Sequence, residues 1–136
     1  MTTAYSGTPL GQKLGYRHGM RVLIDGMSDD IRHAIERGID EKPDWRFTPE
    51  PGLEAAHLFV TDRAAMAHKL AALRTLIASP GLVWVSWPKK ASKQPTDITE
   101  DVIRDIALPL GFVDVKVCAV DVIWSGLKLV IRRELR

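Results

Sequence analysis

Three short apolar runs, each bounded by turn residues and each followed by a segment with its own stop and start signals, constrain this chain more than any other feature. Arg21-Val22-Leu23-Ile24-Asp25 lies between Gly19 and Gly26, Ala55-Ala56-His57-Leu58-Phe59-Val60-Thr61 precedes Asp62, and Leu82-Val83-Trp84-Val85-Ser86-Trp87 is stopped by Pro88. Runs of this length and polarity suit strands buried on both faces. After the first, Ser28 begins a helix with Asp29 and Asp30 in its first turn, where negative charge suits the helix dipole; Ile31, Ala34 and Ile35 form its inner side and Gly38 stops it. After the second, Asp62 caps a long helix whose apolar stripe is Met66, Leu70, Leu73 and Ile77, ended by Pro80-Gly81. After the third, residues 89–95 read as loop. Asp97 and Glu100 then have capping-box spacing ahead of a helix lined by Val102, Ile103, Ile106 and Ala107 and terminated by Leu108-Pro109-Leu110-Gly111.

The remaining segments complete the pattern. Thr8-Pro9 reads as an N-cap with proline at the first helical position of a short helix that Gly15 ends, and Trp45-Arg46-Phe47 marks a short second strand in a proline-rich stretch. Two last strands, residues 112–122 and 127–132, are separated by too few residues for a crossover helix, so they run antiparallel as a hairpin. The order β-α-β-β-α-β-α-β-β predicts a three-layer, Rossmann-like α/β fold: a mostly parallel sheet of about six strands, helices on both faces, and a C-terminal antiparallel hairpin. The 136 residues make a single domain spanning 1–136. No window approaches the ~20 apolar residues that span a bilayer, the N-terminus lacks a signal-peptide pattern, and a lone Cys118 forms no internal disulfide. A cytoplasmic, reduced protein without membrane association is the expectation.

The formal net charge of +2 hides an uneven distribution. Residues 21–62 carry ten acids against five bases, whereas residues 63–95 carry six bases and no acid. In open sheets of this class, ligands bind outside the carboxyl ends of the strands, at the helix N-termini. That rule selects the loops after Asp25, Thr61 and Trp87. Trp87-Pro88-Lys89-Lys90-Ala91-Ser92-Lys93 places three ammonium groups, a hydroxyl and an indole on one loop, and it predicts a site for a phosphate or carboxylate at Lys89, Lys90 and Ser92 with Trp87 stacked on a ring. A solvated lysine loop beside a buried tryptophan is the plainer alternative. The loop from Asp25 to Ser28 has only Gly26 where dinucleotide sites carry a glycine-rich fingerprint, and two aspartates at the helix start would repel a pyrophosphate. Asp25 and Ser28 remain ligand candidates through their oxygen atoms.

Other signals are weaker. His18, His33, His57 and His68 share no metal-ligand spacing, and no metal site is expected. Cys118 lies in an apolar strand and reads as a small hydrophobe rather than a nucleophile. Neither a G-x-S-x-G elbow nor a P-loop is present. Tyr5-Ser6-Gly7-Thr8 and Trp124-Ser125-Gly126 carry turn signatures.

On the stretches Tyr5-Ser6-Gly7-Thr8-Pro9-Leu10, Trp87-Pro88-Lys89-Lys90-Ala91-Ser92 and Trp124-Ser125-Gly126-Leu127-Lys128, the chain resembles a family of small bacterial proteins, a domain of unknown function. That resemblance covers nearly the whole chain and implies a fold rather than an activity. A looser similarity is to class I S-adenosylmethionine-dependent methyltransferases, whose sheet also ends in an antiparallel hairpin and whose first strand and loop Arg21 to Gly26 resembles. This similarity implies S-adenosylmethionine as cofactor, with Asp25 and Glu50 holding it. The chain departs from those enzymes in its reduced glycine loop, in one missing strand and helix, and in Thr61-Asp62-Arg63 standing where an aromatic-rich motif often follows. Two readings follow. One is a non-catalytic module binding a small anionic ligand or a protein partner at residues 87–92. The other is a shortened or degenerate methyltransferase-like enzyme. Single-stranded nucleic acid on Lys89, Lys90, Lys93 and Trp87 is disfavoured by the acidic half, and the oligomeric state stays open.

Overall fold

The computed structural model describes residues 8–136. Strands β1 (Arg21–Asp25), β2 (Asp44–Arg46), β3 (Leu53–Phe59), β4 (Ile77–Pro88), β5 (Phe112–Ala119) and β6 (Trp124–Ile131) form one sheet in the order β2-β1-β3-β4-β6-β5. The first four are mutually parallel, and β6 runs antiparallel between β4 and β5. The fold is thus the expected mostly parallel Rossmann-like sheet with a terminal hairpin. Its strand order reverses direction between β1 and β3, because the chain leaves β1 for one edge through β2 and then returns beside β1 to build toward the other.

Helices cover both faces. On one, α1 (Leu10–Leu14) and α2 (Asp29–Arg37) bury Leu14, Ile31 and Ile35 against Val22, Ile24, Ala55, Phe59 and Trp84. On the other, α3 (Arg63–Leu76) and α4 (Glu100–Leu110) bury Met66, Leu70, Leu73, Ile103 and Ala107 against Leu58, Val83, Val85 and Leu129. Strands buried from both sides have no polar face, which is why the three runs are continuously apolar.

Several boundaries differ from the reading of the sequence. Ile77 is not the end of α3 but the first residue of β4, paired with Leu53. It remains buried, so its apolar spacing is satisfied equally by helix or strand. Pro80-Gly81 accordingly lies within β4 rather than between elements. Helix α1 starts at Leu10 with Pro9 in the N-cap position, one residue later than expected. Thr99, not Asp97, caps α4: its hydroxyl accepts from Val102 N–H at 3.2 Å. Asp97 instead accepts from Arg63 N–H at 2.7 Å, so it serves the first turn of α3 beside Asp62, which accepts from Ala65 N–H. Ser28 caps α2 as expected, its hydroxyl accepting from Ile31 N–H. The first hairpin strand ends earlier than expected, at Ala119, and the second starts earlier, at Trp124, and is longer than expected, with residues 120–123 as the turn. No helix among the described residues is long and apolar enough to cross a membrane.

Candidate functional site

The reversal of strand order places the carboxyl ends of β1 and β3 side by side, where open sheets of this kind bind ligands. Asp25 ends β1 there, half exposed, with Oδ2 3.0 Å from Lys69 Nζ on α3. Gly26 follows at φ 83°, and a Cβ on it would sit 2.9 Å from the Phe59 carbonyl oxygen. The glycine is therefore required by the loop's own approach to β3. Ser28 Oγ is engaged in the α2 cap. Glu50 accepts from Arg46 Nη1 through both oxygens, at 3.2 and 3.3 Å, and the same guanidinium donates to Asp44 at 2.7 Å. That arginine holds the Asp44 carboxyl below its ordinary range, through the hydrogen bond first. The two carboxylates that the methyltransferase resemblance assigns to the cofactor thus each hold a cation of the chain itself, and neither is free.

The lysine loop after β4 divides. Trp87 is buried in the core on the α3/α4 face rather than presented as a stacking platform. Lys89 is fastened down: its N–H donates to Ile123 O at 2.7 Å and its ammonium to Asp121 O at 2.6 Å. Ser92 Oγ donates to Lys89 O and accepts from Gln94 N–H, closing a short 3-10 turn over Lys90–Ser92. Lys90 and Lys93 are exposed and have no ion-pair partner among the described residues. The same loop is tied back to the end of β3, where Thr96 Oγ1 donates to Thr61 O at 2.7 Å. Of the residues nominated on this loop, the geometry leaves Lys90, joined by Lys93, as the open cations.

A polar chain that the sequence did not reveal runs through the α1/α2 face. Tyr16 OH lies 2.9 Å from His57 Nδ1, and His57 Nε2 lies 2.7 Å from Ser86 Oγ, with all three side chains buried. Burial alone lowers the His57 pKa to about 3, so the imidazole is neutral at physiological pH, and burial raises that of Tyr16. His57 stacks on Phe59 with centroids 4.5 Å apart, and Phe59 meets Trp124 edge-on at 5.1 Å. Gly126 makes room for this chain, since a Cβ there would lie 3.1 Å from the Trp84 ring and 3.3 Å from Ser86 Oγ. A histidine inside an apolar strand signals that partners must exist. Tyr16 and Ser86, 41 and 29 residues away, carry no such signal.

Lys69 and Asp121 were also missed, because each acts through a contact that only the fold creates. Asp121 further accepts from the N–H groups of Ile123 and Trp124, which closes the hairpin turn. Among the described residues no cluster of metal-ligating side chains occurs, and Cys118 is buried. His18 pairs with Glu41 at 2.7 Å, at the rim of a shallow cleft of about 440 Å³ lined by Gln12, Tyr16, Arg17, Ile39 and Asp40. This cleft opens beside the residues that precede β1 and follow α2, at the other end of the sheet. The segment Tyr5-Ser6-Gly7 lies outside the described residues.

No family model and no curated protein sequence matches the chain. Solved structures do. A SAM-dependent (S-adenosylmethionine-dependent) methyltransferase from Aquifex aeolicus superposes with a TM-score of 0.59 at 12% identity, over 89% of this chain and 87% of that one. Magnesium protoporphyrin IX methyltransferase from Synechocystis PCC 6803 gives 0.58 at 9% identity, over 90% and 74%. A ribosomal protein L11 methylase from Lactobacillus delbrueckii subsp. bulgaricus gives 0.57 at 13% identity, over 91% and 76%. The chain has a Rossmann-like fold of the methyltransferase type.

Proposed function

We propose that this chain is a binding module on a methyltransferase-type scaffold, taking a small anionic ligand at Lys90 and Lys93 and transferring no methyl group. One contrast supports the reading: the carboxylates of Asp25 and Glu50 hold Lys69 and Arg46, while the two lysines on the loop after β4 have no ion-pair partner among the described residues. An exposed ammonium pair gains charge-assisted hydrogen bonds from an anion at little cost in desolvation. Calorimetric titration with nucleotides and phosphorylated metabolites tests it. A Lys90→Ala/Lys93→Ala double variant is expected to weaken anion binding by about tenfold while leaving the fold intact. S-adenosylmethionine is expected to bind more weakly than about 1 mM, which corresponds to less than ~4 kcal/mol.

A second reading, an enzyme of methyltransferase type, is favoured by the position of Asp25. Its carboxylate is half exposed at the reversal of strand order, and its one ion-pair partner among the described residues, Lys69, is a half-exposed side chain. Submillimolar S-adenosylmethionine binding that is lost in Asp25→Asn would establish this reading and overturn the first.

A further inference from the structure

The terminal hairpin brings together cations that form no ion pair among the described residues. Lys116 on β5 and Lys128 on β6 are direct cross-strand partners. Like charges so placed repel. The Lys128 side chain is half-buried beneath the end of α1, with Nζ 4.0 Å from where a Cβ on Gly15 would sit, and Arg17 follows two residues later. The side chains of Arg17, Lys116 and Lys128 have no ion-pair or hydrogen-bond partner among the described residues. The nearest carboxylate along β5, Asp114, is held at 2.9 Å by Arg104 of α4.

We propose that Arg17, Lys116 and Lys128 form a second anion site, specific for a phosphoryl group, between the end of α1 and the terminal hairpin. Placing one half-buried ammonium among two further cations is unfavourable by itself, and the repulsion is felt: burial first, then Lys116 and Arg17, push the Lys128 pKa below its ordinary value. A bound anion offsets the mutual repulsion and pairs the half-buried ammonium. A phosphoryl dianion suits the place because it offers several acceptor oxygens to several donors in a small volume. The half-burial of Lys128 limits the occupant at that ammonium to a compact group. The site is independent of the loop at Lys90 and Lys93, since Lys128 pairs with Trp84, four residues and about 13 Å of strand before the end of β4.

The test uses the whole chain with inorganic phosphate and phenyl phosphate as probes, read by calorimetry and thermal unfolding at constant ionic strength, with sodium chloride as the control. Binding of either probe is expected to persist in Lys90→Ala/Lys93→Ala, which removes the loop site, and the binding that persists is expected to weaken at least about tenfold when Lys128→Gln or Arg17→Gln is added to that variant. Lys128 titration, followed by NMR of its side chain, is expected to move upward when the probe binds. Lys128→Gln removes a repulsive charge and is expected to fold; should it not, the exposed Lys116→Gln carries the comparison. The proposal is overturned if neither probe binds, if chloride reproduces the stabilisation, if Lys90→Ala/Lys93→Ala abolishes all binding of both probes, or if adding Lys128→Gln or Arg17→Gln to that variant leaves its binding unchanged.

Discussion

The two sides of the sheet treat charge in opposite ways. On the β2-β1 side, Asp25 meets Lys69, Glu50 and Asp44 share Arg46, and Ser28 closes a helix cap. On the side after β4, one lysine is fastened to the hairpin turn and two have no ion-pair partner among the described residues. The acidic and basic stretches of the sequence are therefore not mirror images. Most of the named acids are used internally, whereas part of the basic stretch is left available. Net charge alone conceals this difference, because a paired acid and an unpaired base cancel in the sum while differing in what they offer a ligand.

Perturbations of the two sides sharpen the comparison. The largest effect is expected from Gly26→Val, which forces a β-branched residue into a left-handed backbone against the Phe59 carbonyl; a loss of about 3 kcal/mol or more in urea unfolding is expected. A loss below 1 kcal/mol, by the same order-of-magnitude scale, would mean that the loop is not packed on β3 and the closed side is open after all.

His57 joins the two sides, since its ring links Tyr16 near β1 to Ser86 on β4. Its folded pKa of about 3 lies below the ordinary 6.5, so the unfolded chain takes up the proton first. Stability from this group is complete above pH 6.5 and falls as pH drops from 6.5 toward 3, by up to ~1.4 kcal/mol per pH unit. Unfolding curves of His57→Gln are expected to flatten in that window. An unchanged slope would mean that His57 is protonated in the folded protein.

On the other side, the fastened and free lysines should separate. Lys89→Met is expected to cost about 1–2 kcal/mol through loss of the ammonium bond to Asp121 O, whereas Lys90→Met should stay within about 0.5 kcal/mol. Equal losses would erase the distinction between the two lysines. The smallest effect is expected for the half-exposed Asp25 and Lys69 pair, where a double-mutant cycle should give about 0.5 kcal/mol, declining with added salt.

The fold was legible because its evidence is local. Apolar runs such as Leu82 to Trp87, caps such as Ser28 and Asp62, and the short gap before Leu127 depend on neighbours a few residues away. Ile77 and Asp97 were misplaced for the complementary reason: one fits helix and strand spacing equally, and the other serves a helix 34 residues upstream. The candidate site was less legible still. Trp87 in isolation looks like a stacking surface, and only the arrival of α3 and α4 makes it core. Lys89 differs from Lys90 solely because a turn 32 residues later offers it a carbonyl. Periodicity carries no information on contacts of that span.

The buried chain of Tyr16, His57 and Ser86 has a consequence for hydrogen placement. A neutral imidazole has one N–H and each hydroxyl has one O–H, so three hydrogens serve two contacts. If Tyr16 donates to Nδ1, His57 donates to Ser86 and the serine hydrogen is left over; in the other tautomer the surplus hydrogen sits on the tyrosine. The core therefore stores a two-way choice, and whichever neighbouring acceptor comes within reach of Ser86 or Tyr16 selects the tautomer of a ring that never meets solvent.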